Sequence, residues 1–184
     1  MAKKLDKIVV IDVEATCWPG SPPHGERQEI IEVGVVLFDV KKLLISNKES
    51  LIVRPDFSKV SKFCTELTTL TQADVDKGIT FAEACHILKK EYQTESRTFA
   101  SYGDFDRKAF ERDCIHKNVK FPFGPTHLNI KNLFAIAFSL EREIGMAEAL
   151  KKMNLPLIGT HHRGHDDAEN IAKILRELIL KFDF

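Results

Sequence analysis

The chain has no net charge: 27 Lys and Arg balance 27 Asp and Glu over 184 residues. A protein that grips long duplex DNA by bulk electrostatics needs a basic excess, so the balance argues against that class. It leaves open a protein that holds one short single-stranded end beside bound cations. There is no run of about 18 apolar residues, so no membrane span is expected. The cysteines, Cys17, Cys64, Cys85 and Cys114, include no Cys-x-x-Cys knuckle. A core of this length needs no disulfide, so reduced thiols and a cytoplasmic location are expected. The N-terminal stretch MAKKLDKIVVIDVE begins with lysines, but its apolar part carries acids and lacks a small-residue cleavage site. It reads as a first strand rather than a signal peptide. Repeats, low-complexity tracts and obvious linkers are also missing, and one domain over residues 1–184 is expected.

What is present is ordinary for a globular protein, with 43% hydrophobic and 29% charged residues. Strands are expected at 7–14, 29–40 and 48–55, the last stopped by Pro55, with a Pro/Gly-rich loop over 17–28. A short polar link around Ser46 and Asn47 makes the second and third an antiparallel meander. Thr71 followed by Asp74 looks like a helix start, and Thr80 caps an amphipathic helix over 80–93. A fourth strand is read at 98–103. Helices follow at 104–118, 129–140, 145–155 and 166–180. Strands first as a meander, then alternating with helices, give a single α/β domain with a mixed sheet flanked by helices.

The acids do not follow this simple pattern. Residues two apart on a strand share a face, so Asp12 and Glu14 point the same way out of the apolar run IVVIDVEAT. Two buried carboxylates repel and each is costly to desolvate, so something positive must meet them. In the last helix, steps of four, seven and eight from Asp167 reach Ile171, Ile174 and Leu175, whereas Asp166 leads to Asn170 and Lys173. Asp167 therefore faces the core, and Asp166 suits a wet face and an N-cap. The same test puts Asp106 inward, above Phe110 and Cys114, and makes Asp104 the natural cap. A core of salt bridges would need as many buried cations, and the expected strands offer none. Hard divalent cations fit the four acids better, and a carboxylate cluster holding two such ions is a usual device for attack on a phosphodiester. In THHRGHDDA, at least one of His161, His162 and His165 is expected to be a solvated loop residue; a transition-metal site lacks further soft ligands at suitable spacing, and the sharper reading is that one of the three acts as general base.

These residues resemble the DEDDh (DnaQ-like) 3′→5′ exonuclease family. DVEAT is similar to its first motif, SYGDFDRKAF to its second, and HHRGHDDAENIA to its third, His-x4-Asp. The resemblance implies Asp12, Glu14, Asp106 and Asp167 as ligands of two Mg²⁺ or Mn²⁺ ions, and His162 as the base. FCTELTTLTQADVD resembles the segment beside the 3′ nucleotide, which with the first two motifs suggests substrate contacts from Ala15, Thr16, Trp18, Leu67, Thr68 and Phe105. Trp18 is a candidate stacking surface, or else a lid anchor. The position the family commonly fills with Gly is Thr69, whose side chain would crowd the terminal base or sugar. The loop carrying Trp18, the EIIE run at 29–32 and the form of the third motif look most like the ERI-like branch, which acts on RNA. The implied fold is ribonuclease-H-like, with five strands, the fifth being THLNI at 126–130. The implied partner is a single-stranded 3′ end, RNA before DNA, and the activity a metal-dependent release of nucleoside 5′-monophosphates. A DNA-directed relative or a non-catalytic binding module on the same fold are the alternatives.

Overall fold

The computed structural model describes residues 4–182; residues 1–3 of the N-terminal stretch read above lie outside them. A five-stranded mixed sheet runs in the order β3-β2-β1-β4-β5. β1 (Lys4–Ala15), β2 (Ile30–Asp39) and β3 (Leu44–Ile52) form the antiparallel meander. β4 (Arg97–Ser101) and β5 (His127–Asn129) add to the other side of β1 in parallel.

The alternation along β1 divides the core. Val9, Ile11 and Val13 face α3 (Phe81–Glu91) and α4 (Phe105–Lys117), through Leu88, Phe110 and their neighbours. Val10 faces the opposite layer, built by α5 (Ile130–Ala137), α6 (Met146–Lys152) and α7 (Gly164–Phe182). Asp12 and Glu14 continue the Val10 row, toward the start of α7. Two short helices, α1 (Lys62–Thr68) and α2 (Gln72–Val75), close over the outer end of β2 with Ile31, Cys64, Leu70 and Val75. Thr71 and Thr80 each form a capping box, with Asp74 and Glu83 as the third-residue partners. All four cysteines are free. No helix among the described residues is long and apolar enough to cross a membrane.

Three expectations need correction. The turn between β2 and β3 lies at 40–43, where Asp39 accepts the Lys42 N–H at 2.8 Å. Asn47 is inside β3, at φ 53°, where the ladder with β2 shifts register. Asn tolerates this left-handed conformation, so it kinks a strand instead of ending one. The strands also do contain a buried cation. Arg97 opens β4 and forks onto Asp6 at 2.9 and 3.2 Å, at the far end of β1 from Asp12. Finally, α7 begins at Gly164, so Asp166 and Asp167 lie inside its first turn.

That start is fixed by a close approach of two glycines. Gly34 of β2 is paired with Asp12, and a Cβ on Gly34 would overlap the Gly164 backbone. A Cβ on Gly164 would meet the Asp12 carbonyl oxygen and the Gly34 nitrogen at 2.9 Å. The contact presses the end of α7 onto β1 and β2 and so brings Asp167 over Asp12. Gly34→Ala is therefore expected to destabilise the fold by about 1–3 kcal/mol or more in a urea melt. Gly20→Ala, with nothing within 4 Å, should be near neutral. Equal midpoints for the two variants would contradict the close packing.

Candidate active site

Three elements bring the inward acids together. β1 supplies Asp12 and Glu14, the first turn of α4 supplies Asp106, and the first turn of α7 supplies Asp167. Carboxylate oxygens of Asp12, Glu14 and Asp167 lie within 4.8 Å of one another. Asp106 is oriented by the Val13 N–H, which donates to its Oδ1 at 2.9 Å. All four line one cavity of about 320 Å³. No lysine or arginine among the described residues forms an ion pair with any of the four. The Asp167 Oδ1 is buried with no hydrogen-bond partner, an orphan acceptor of the kind a cation would satisfy.

Repulsion is visible in the protonation of the cluster. Burial, then the charges of Asp106, Glu14 and Asp167, hold Asp12 well above the ordinary carboxylate range. Burial and the charge of Asp167 push Glu14 up to about 9. Burial raises Asp106 to about 6, against the lowering effect of the Val13 N–H. An all-oxygen donor set that resists ionisation until a counter-charge arrives suits hard divalent cations.

The histidines lie over Asp167. His162 donates its backbone N–H to Asp167 Oδ2 at 2.8 Å, and its left-handed backbone, at φ 64°, makes that turn. His161 Nδ1 is 3.0 Å from the same oxygen, and the two rings stack with centroids 4.0 Å apart. Both rings line the cavity. Burial, then the neighbouring His161, lowers the pKa of His162, favouring a neutral ring. His165 turns away to Glu32, at 3.0 Å.

The acids assigned to capping behave otherwise. Asp104 occupies the N-cap position of α4 but makes no side-chain cap bond; its carboxylate lies 3.5 Å from Arg107 and 3.7 Å from His127. Asp166 is neither a cap nor wet. The chain ahead of α7 folds back over it, so Asp166 is buried, accepts the Thr160 N–H at 2.8 Å and pairs with Lys48. It braces the histidine turn.

Of the expected substrate contacts, Ala15, Leu67 and Phe105 line the cavity. Thr16 and Thr68 do not: both are fully buried. The Thr16 hydroxyl bridges Arg27 and Glu29 backbone groups, and that of Thr68 bonds Cys64 and Leu70. Trp18 is also outside the lining. Gln28, Tyr102 and Met146 line it without having been foreseen: Gln28 and Met146 come from a loop and a helix start that no motif marks, and Tyr102 lies within the second motif but ahead of its acids. Thr69 does not reach the cavity either. It ends α1 at φ 66°, with its hydroxyl 3.4 Å from Arg163. Left-handed backbone is the physical reason for a glycine at such a position.

Glu32, absent from the expected set, is a fully buried acid beside the cluster, paired across the ladder with Glu14. It accepts from Ser50, Arg163, the Gly164 N–H and His165. These contacts satisfy it, so it anchors α7 and is not free to bind an ion.

Comparison with known proteins gives the family. The exonuclease family model of the RNase T type matches residues 9–175, so the chain belongs to that exonuclease family. It is 33% identical to human 3′-5′ exoribonuclease 1 over 182 residues, an alignment that covers 92% of this chain and 51% of that protein. The chain thus spans about half the length of that curated relative. A solved nuclease domain of 3′hExo, described as a DEDDh family member bound to rAMP, superimposes with a TM-score of 0.88 at 30% identity, covering 98% of this chain and 95% of that one. A 3′-exonuclease solved for its 3′-end-specific recognition of histone mRNA stem-loop gives 0.87 at 30% identity, over 96% and 82%. The DEDDh resemblance and the ribonuclease-H-like five-stranded fold expected from the sequence are borne out.

Two measurements follow. Glu14 holds its proton more tightly folded than unfolded, so the stability this contributes is present below the unfolded value of 4.5 and lost as pH rises through about 9. In EDTA the melting temperature should fall between pH 5 and 9, and Glu14→Gln should flatten that slope; an unchanged slope would remove Glu14 from the cluster. Thr69→Gly should raise stability by about 1 kcal/mol by relieving a β-branched residue at positive φ. A lowered midpoint would show that the Arg163 contact outweighs the strain.

Proposed function

We propose that this chain is a 3′→5′ exonuclease that releases nucleoside 5′-monophosphates from single-stranded RNA or short oligoribonucleotides. The observation that carries the reading is the convergence of Asp12, Glu14, Asp106 and Asp167, unpaired with lysine or arginine, in one cavity. Those four residues would hold two Mg²⁺ or Mn²⁺ ions, and the orphaned Asp167 Oδ1 fits that role. Such ions, when bound, supply Lewis-acid activation of water and neutralise charge at the leaving 3′-oxygen.

The protein's own groups do the rest. His162 takes the proton of the attacking water at its ring nitrogen; burial keeps it neutral and ready to accept. Asp167 fixes the turn that carries His162. Leu67 and the exposed Phe105 ring flank the terminal nucleotide, and Ala15 leaves room beside it. Single strands are favoured because unpairing a duplex end costs free energy before the last nucleotide can enter. A 3′-phosphate would add charge next to the acids and should block digestion. The similarity to proteins named exoribonucleases, and to one solved with rAMP, supports RNA as the substrate. The absence of a membrane-spanning helix among the described residues is compatible with the cytoplasmic location proposed for it.

Digestion of matched RNA and DNA oligomers, with free and 3′-phosphorylated ends, tests the reading. RNA with a free 3′-OH should shorten from that end in a divalent-dependent ladder. His162→Ala should lower turnover by roughly 10²–10⁴-fold. Asp167→Asn and Asp106→Asn should be inactive, while Asp104→Asn stays active. Equal or faster DNA digestion would overturn the RNA assignment, and comparable losses for His161→Ala and His162→Ala would point to a histidine metal site instead.

A further inference from the structure

Beside the cavity, a buried acid that the chemistry does not use holds a loop rigid. Glu29 is 1% exposed. Its two oxygens accept three successive backbone N–H groups, from Asp56 and Phe57 at 3.0 Å and from Ser58 at 2.8 Å. Lys117 neutralises it at 2.7 Å. Ser58 is tied in turn to the backbone of Arg27, its hydroxyl donating to the carbonyl at 2.6 Å and accepting the N–H at 2.9 Å. The effect of this clamp is to present Phe57 on a fixed backbone, with the residue 62% exposed.

A lone exposed phenylalanine needs no explanation. Phe57 has a companion. The Arg27 guanidinium lies 4.0 Å from the ring centroid and covers one face, leaving the other to solvent. No carboxylate among the described residues pairs with Arg27, and its Nε is buried without a hydrogen-bond partner. In a chain of zero net charge, a polyanion must find its cations locally. The location fits as well. Gln28, the next residue, lines the cavity, and the Arg27 carbonyl is held by Thr16 beside the cavity-lining Cys17.

We infer that Phe57 and Arg27 form a stacking platform at the mouth of the cavity for an unpaired base of the nucleic-acid strand, outside the site that holds the terminal nucleotide. The inference rests on the exonuclease reading above. A base stacks on the open face of Phe57 whatever its identity, since every base offers a π-face. The unpaired guanidinium attracts the adjoining phosphate. The rigid loop means that little order has to be imposed when the strand arrives.

Kinetics on two RNA lengths test this. A dinucleotide fills only the cavity, whereas a decanucleotide reaches the platform. Phe57→Ala should raise KM for the decanucleotide by roughly five- to a hundred-fold, the usual range for one lost base stack. It should leave the dinucleotide unchanged, and Phe57→Trp should restore wild-type behaviour. An unchanged decanucleotide KM, or equal losses on both lengths, would overturn the platform. Fluorescence anisotropy with a labelled RNA decanucleotide in EDTA separates the two claims. If the wild-type protein hydrolyses neither RNA, the exonuclease reading falls. The platform then stands only if Phe57→Ala still weakens binding while Phe57→Trp does not.

Discussion

Mutual repulsion among Asp12, Glu14, Asp106 and Asp167 is the constraint around which this structure is arranged. Asp12, Glu14 and Asp106 are raised by burial and by their acidic neighbours. Among the described residues the fold gives none of them an ion pair with lysine or arginine. It does relieve the buried acids next to them. Burial alone would raise Glu32, but hydrogen bonds from Arg163, Ser50 and His165 outweigh it and hold Glu32 below its ordinary value. Glu29 is lowered in the same way, against burial, by Lys117 and three backbone N–H groups. Two populations of buried carboxylate thus share one end of the sheet. One is satisfied and structural; the other is left with an unmet need for positive charge, the condition for binding cations.

Keeping repelling groups together requires rigid supports. Gly34 and Gly164 let α7 touch the sheet. Arg163 spans to Glu32 of β2, and Lys48 of β3 spans to Asp166. The Asn170 carboxamide clasps both backbone groups of Ile158, at 2.9 and 3.1 Å. The segment over 158–163 is therefore tied at both ends, which places His161 and His162 above Asp167. On the α4 side the Val13 N–H fixes Asp106. Each support links strands or helices far apart in sequence.

That explains what could be read from the sequence. Period-two and helical spacing separated Asp12 and Glu14 from their neighbours, and Asp106 and Asp167 from Asp104 and Asp166, because side-chain direction follows from local backbone geometry alone. The antiparallel meander was legible for the same reason, and β5 became so only through the family resemblance, since three residues carry no period of their own. Asp166 was misread because its burial comes from the chain that folds back over it, a tertiary event. Glu32, Asp113 and Arg97 were missed because a charged residue in a strand or a helix looks exposed until its partner is known; Asp113, in α4, proves to be buried, holding the Ile30 N–H at 2.8 Å. Thr16 and Thr68 belong to a recognisable motif, yet their hydroxyls serve the backbone that shapes the cavity and not the cavity itself.

The central claim is that the cluster exists to be neutralised by divalent cations. Calorimetric titration of the protein with Mn²⁺ tests it most directly. The account predicts two ions bound per chain, with protons released in growing number as the pH is lowered from 9 toward 6, and binding lost or reduced to a single ion in Asp12→Asn. Undiminished binding in Asp12→Asn, or no binding at all to the wild-type protein, would contradict it.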